Sequence, residues 1–156
     1  MTPVLIYESM TQLSVNSFTN PIVQKLSDIQ KFPNYFHIDS FSEASYFDLA
    51  SRFLVENPNT VVVLLFEESQ NTTGLGIILN QLLQSSIPHP ILCLNSCPLT
   101  DKLNKKLAIT FFENYAQMHL AIATLLQGNS NESESFWKGY SSLKSINDCL
   151  SRIAVW

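Results

Sequence analysis

Thr60-Val-Val-Val-Leu-Leu-Phe66 is the stretch that decides the fold. It is unbroken, apolar and rich in β-branched residues, which reads as a strand. Alternate side chains of a strand point to opposite faces. A run that is apolar at every position must therefore be covered on both faces, as at the centre of a parallel sheet. Pro58 precedes it and Glu67-Glu68 follows it.

The flanks repeat one theme outward from this strand. Leu75, Ile78, Leu79, Leu82 and Leu83 fall at i, i+3, i+4, i+7 and i+8, the apolar stripe of a helix, which closes at Pro88. Ile91–Leu94 is the next short strand. On the amino-terminal side, Phe47, Ala50 and Leu54 mark a helix that runs to about Glu56, and Ser40-Phe-Ser-Glu43 has the spacing of a capping box. Tyr35–Ile38 is a strand before it. Asn20-Pro21 opens a helix over about 21–31, with Ile22, Leu26 and Ile29 at helical spacing. Val4–Tyr7 is the first strand. Thr100 is the expected N-cap of a long helix over about 101–126. A further helix is predicted over about 134–152, carrying Phe136, Tyr140, Leu143, Ile146 and Leu150. Ile153–Trp156 is disfavoured as an edge strand.

Strands alternating with helices imply right-handed crossovers and a parallel sheet. The expectation is an α/β fold, a three-layer αβα sandwich on a four-stranded parallel sheet of order 2-1-3-4, with an extra carboxyl-terminal helix. The alternation resembles the flavodoxin-like or receiver-like architecture over roughly residues 1–127. It departs where that architecture places a fifth strand, because a helix is predicted there instead.

The chain has 156 residues, 46% hydrophobic and 14% charged, with a net charge of -4. The length predicts one domain over residues 1–156. Low charge and ordinary hydrophobicity argue against disorder. A mildly acidic balance argues against binding nucleic acid through phosphate neutralisation. No apolar run reaches the 18 or so residues of a membrane span. The amino terminus lacks a basic n-region and a long apolar h-region, so it reads as a strand rather than a signal peptide. Cys93, Cys97 and Cys149 are an odd set without zinc-ligand spacing. They are expected to be free structural thiols in a reducing, cytoplasmic compartment.

In an open parallel sheet, ligands bind beyond the carboxyl ends of the strands where the strand order reverses, here between the first and third strands. The residues delivered there are Glu8, Ser9, Met10 and Thr11, and Glu67, Glu68 and Ser69, with Asn95 and Ser96 after the fourth strand. Adjacent strands lie about 4.8 Å apart. Glu8 and a glutamate of the third strand would then raise one another's pKa or hold a hard cation such as Mg²⁺.

The receiver resemblance implies acidic residues after the first and third strands and a hydroxyl after the fourth, which Glu8, Glu67 or Glu68, and Ser96 supply. The aspartate acceptor and the lysine of a fifth strand are missing. The Toprim family pairs a glutamate after its first strand with a DxD after its third. Glu8 matches the former, while Glu67-Glu68-Ser69 does not match the latter. Flavodoxins bind phosphate in a hydroxyl-rich loop after the first strand, and Thr11–Asn20 is hydroxyl-rich but lacks glycine. Asn71-Thr-Thr-Gly-Leu-Gly76 fits neither a Walker A nor a GxGxxG pattern; Thr72 or Thr73 is expected to cap the helix, with Gly74 or Gly76 allowing close packing. Cys97 lacks an adjacent histidine base, since His37, His89 and His119 are scattered along the chain. Lys102, Lys105 and Lys106 would open the predicted 101–126 helix, where cations oppose the dipole.

That helix is apolar nearly all round, and the excess predicts a homo-oligomer joined through residues 107–126 and 136–153. The leading functional expectation is a non-catalytic α/β binding or regulatory module, self-associating, with a small-molecule ligand allowed for and no cofactor named. The alternative is a small hydrolase or phosphoryl-handling enzyme using Glu8, Glu67 and Glu68 around a divalent metal.

Overall fold

Parallel strands of this length need a crossover between each pair, and the chain supplies a helix at every one. The computed structural model describes residues 2–10, 21–29, 34–66 and 70–127. Strands β1 (Val4–Glu8), β2 (Tyr35–Asp39), β3 (Val61–Leu65), β4 (Ile91–Leu94) and β5 (Ile109–Phe112) form one parallel sheet in the order β2-β1-β3-β4-β5. The helices are α1 (Pro21–Ile29), α2 (Ala44–Glu56), α3 (Leu75–Gln84), α4 (Pro98–Leu103) and α5 (Tyr115–Gln127).

β3 is central, and all five of its side chains are buried. Val62 and Leu64 enter a core with Leu5, Tyr7, Phe47, Ala50, Leu54, Ile78 and Leu82, beneath α2 and α3. Leu99 and Leu103 of α4 pack against the same core. Val61, Val63 and Leu65 enter a second core with Ile22 and Leu26 of α1 and Met118, Ala121, Ile122 and Leu125 of α5. The two clusters are the two pleat faces of one sheet, as the unbroken run of β3 demands.

Among the described residues the sheet has five strands, not four, and the expected helix over 101–126 is in fact α4, β5 and α5. A short apolar run has no period of its own that separates helix from strand. Ile109 and Phe112 bury on opposite faces, one in each core. Asn104 Oδ1 accepts from the Ile109 N–H at 3.3 Å at the start of β5. Asn114 Oδ1 accepts from the Gln117 N–H at 3.0 Å at the start of α5. The lysines that opposed the dipole of a long helix follow from the same division. Lys102 is in the last turn of α4, where a cation is favourable, and Lys105 and Lys106 lie beyond it. Cys97, not Thr100, is the N-cap of α4. α1 is described as far as Ile29, and residues 30–33, on which its expected end falls, lie outside the described residues. The predicted helix over 134–152 and the segment 153–156 lie outside the described residues.

Gly74 is the N-cap of α3, in place of the expected Thr72 or Thr73, and makes no side-chain cap bond. Its φ of 77° is left-handed, and a Cβ there would collide with the Phe47 ring. Gly76 has open space, with nothing within 4 Å of a built Cβ. Gly74→Ala is therefore expected to cost about 2 kcal/mol or more, through backbone and packing together. Gly76→Ala is expected to be neutral or to stabilise by up to about 1 kcal/mol. Urea unfolding of the two variants against the parent checks the contrast.

Candidate functional site

The parallel register delivers five loops to one rim of the sheet, and the side chains there fall into two groups by face. Leu5 and Tyr7 point to the α2 and α3 side, while Ile6 points to the α1 and α5 side. Glu8 follows Ile6 by two and shares its face. β2 is in register with β1 so that His37 stands opposite Ile6 and Asp39 opposite Glu8. The partner the structure brings to Glu8 is therefore His37, with Nε2 to Oε2 at 3.1 Å. Both side chains are mostly buried, at 16% and 21% exposed for His37 and Glu8. The ring Nε2–H donates and the carboxylate accepts, so the contact orients both. The Glu8 main chain is opposite Leu65 on the β3 side. Glu67, Glu68, Ser69 and Thr11 lie outside the described residues.

The hydroxyls of this rim are turned inward. Tyr7 Oη donates to the Thr73 carbonyl at 2.8 Å and approaches the Asn71 carbonyl at 3.3 Å. Ser9 Oγ donates to the Asn71 carbonyl at 2.6 Å, and the Ser9 N–H donates to the Leu65 carbonyl at 2.8 Å. Asn71 Oδ1 in turn accepts from the Thr73 N–H and hydroxyl at 3.1 and 2.7 Å. The loop after β3 is thus laced to the end of β1. Ser40 Oγ accepts from the Met10 N–H at 2.9 Å and donates to the Met10 carbonyl at 3.2 Å. Ser40 braces the loop after β1 rather than capping α2, whose N-cap is Glu43 with no side-chain cap bond. Asp39 Oδ1 accepts from the Phe41 N–H at 2.8 Å, closing the same turn.

Asn95 and Ser96 lie where the sequence places them, after β4. Asn95 has a left-handed φ of 60°, tolerated by a short polar side chain, and its N–H extends the ladder to Phe112 at 2.8 Å. The Ser96 carbonyl accepts from Gln70 Nε2 at 2.9 Å. Cys97 is buried, and its N–H donates to Thr100 Oγ1 at 3.0 Å. Cys93 donates its thiol hydrogen to the Asn95 carbonyl at 3.0 Å. Burial first, and then the neighbouring Cys97, push the Cys93 thiol above its usual range, which keeps it protonated and unreactive. His89 is at the opposite rim, donating Nδ1–H to the Thr60 carbonyl at 3.0 Å. His119 is on α5 with its ring 5.7 Å from that of Tyr115. Among the described residues, no group of three or more His, Cys, Asp and Glu is placed to hold a metal ion. No described helix is long and apolar enough to cross a membrane.

Glu8, Ser9, Asn95 and Ser96 lie at the carboxyl ends of β1 and β4, where their order in the sequence puts them. Residue spacing did not assign His37 to Glu8, nor Tyr7 and Ser40 to the bracing of loops. Comparison with protein-family models, curated proteins and solved structures finds no match to this chain.

Burial, and then the charges of Cys97 and Asp39, hold the Tyr7 phenol above its ordinary value of 10.0. The fold therefore favours the neutral phenol. That contribution is complete below pH 10.0 and is lost progressively as the pH rises beyond it. Tyr7→Phe removes the donor from the part-buried Thr73 carbonyl and is expected to cost about 1 kcal/mol at neutral pH. The gap between parent and variant narrows as the solution is made alkaline. Urea midpoints of both proteins across the neutral-to-alkaline range measure it; a gap that does not change with pH contradicts the assignment.

Proposed function

We propose that the chain is a non-catalytic α/β binding or regulatory module, one domain over residues 1–156, that takes a small-molecule ligand at the carboxyl rim of its sheet and self-associates. The strand order 2-1-3-4-5 is that of flavodoxin-like proteins, and in this reading the fold is one of them. The supporting observation is the use of the hydroxyls. Those of Tyr7, Ser9, Ser40 and Thr100 are committed to main-chain groups, and the first three lace the segments after β1, β2 and β3 into one platform. Such a platform suits recognition, and a hydroxyl held this way is poorly placed to act as a nucleophile. The mildly acidic charge argues for a partner other than nucleic acid, and in this reading the protein works in the cytoplasm away from membranes.

Self-association was expected through 107–126 and 136–153. The apolar residues of the first stretch divide between β5 and the inner face of α5, leaving Leu120 as its exposed large apolar side chain at 43%. The second stretch lies outside the described residues.

One observation favours the enzymatic alternative, a small hydrolase or phosphoryl-handling protein with a divalent metal held by Glu8, Glu67 and Glu68. Glu8 is oriented by His37 at the end of β1, beside the point where the strand order reverses. Melting curves with magnesium or calcium separate the two. The binding-module reading expects a melting temperature that stays within about 1 °C of the metal-free value. A rise of several degrees that disappears in Glu8→Gln overturns it in favour of the metal site.

A further inference from the structure

Among the described residues, β2 is an edge strand whose one neighbour in the sheet is β1. The Val4 N–H donates to the Asn34 carbonyl and the Ser40 N–H to the Glu8 carbonyl, each at 3.0 Å. The parity of a parallel ladder then turns the main chain of Asn34, Phe36, Ile38 and Ser40 toward β1, and that of Tyr35, His37 and Asp39 outward. Asp39 is already used: its N–H donates to Ser42 Oγ and its carbonyl accepts from the Ser42 N–H, both at 3.1 Å. The main-chain N–H and C=O of Tyr35 and His37 have no partner among the described residues. Neither lysine nor proline occurs in Tyr35–Asp39 to discourage pairing at this edge.

The helix above this edge is also incomplete. α2 buries Phe47, Ala50 and Leu54, while Tyr46, Leu49 and Phe53 form a second stripe on one flank. The Phe53 ring packs on Phe36 of β2 with centroids 5.7 Å apart, so this flank overlooks the open edge. Leu49 is 44% exposed.

We propose that a second copy of this chain covers both features, by antiparallel pairing of β2 with β2 about a two-fold axis at Phe36. Tyr35 of each protomer then faces His37 of its partner, and each such pair exchanges an N–H···O bond in both directions. The outward groups that remain open are the ones this register uses. An axis normal to the sheet keeps the faces matched, so α2 meets α2. α2 packs over β2 and β1. With strands about 4.8 Å apart, the two α2 axes come to roughly 10 Å, the ordinary distance between packed helices. The end of α2 that enters the contact carries Arg52 and Glu56. Antiparallel helices set Arg52 of each protomer beside the end that carries Glu56 in the other, so the charges complement. One short strand and one flank of a helix from each copy make a contact smaller than the roughly 800 Å² per partner of a stable interface, so the dimer is reversible.

The proposal deepens the self-association in the reading above and rests on it. The test is sedimentation of the full chain across the micromolar range, with amide hydrogen exchange read at Tyr35 and His37. The expected result is a mass that climbs toward two copies, with both amides slowing as concentration rises. Leu49→Glu, at an exposed site that folding tolerates, is expected to weaken the dimer about tenfold or more. Leu120→Glu on α5 is expected to leave it unchanged. A dimer that survives Leu49→Glu, or whose Tyr35 and His37 amides exchange equally fast at every concentration, overturns this contact and keeps self-association. A monomer at high micromolar concentration removes both.

Discussion

The burial of β3 on both faces is the constraint on which the molecule depends. Each of its five side chains is enclosed, alternately in one core and the other. Full burial of a Val or Leu side chain is worth about 1.5–3 kcal/mol, so this short segment alone contributes on the order of 10 kcal/mol of gross apolar stabilisation. Its main chain pairs with β1 on one side and β4 on the other. A strand enclosed above, below and on both edges leaves its neighbours little choice: helices must lie on both faces, and the connections must be crossovers.

The character of the rim follows from that arrangement. Five parallel strands end together, and the loops that leave them would carry unpaired main-chain groups into a crowded space. Tyr7, Ser9 and Ser40 satisfy such groups and in doing so fasten loop to loop, while Thr100 does the same within the first turn of α4. Asn71 is the hub of this lacing, since its carbonyl takes the Ser9 hydroxyl and its side chain takes Thr73. Glu8 and His37 stand apart from it on the other face of the sheet, as a hydrogen-bonded and oriented pair.

The parts of this that were legible in the sequence are those with a one-dimensional signature. The run Val61–Phe66 named the central strand, and alternation named the crossovers and the order of the first four strands. β5 was hidden because Ile109–Phe112 sits inside a longer apolar run that reads equally as helix. Two signals were nonetheless present: lysines at the wrong end of the supposed helix, and the polar break at Glu113-Asn114. In the site, position along the rim was legible and partnership was not. Whether Glu8 meets β2 or β3 depends on which face it occupies and on the register that sets His37 opposite Ile6. Neither is written in the spacing of residues.

Native-state hydrogen exchange of the Val61–Leu65 amides tests the central role of β3 most directly. These amides are expected to exchange only through global unfolding, with an opening free energy equal to that from denaturant titration. Exchange of the β3 amides through cheaper local openings, at energies no higher than those of the edge strands β2 and β5, would contradict the account.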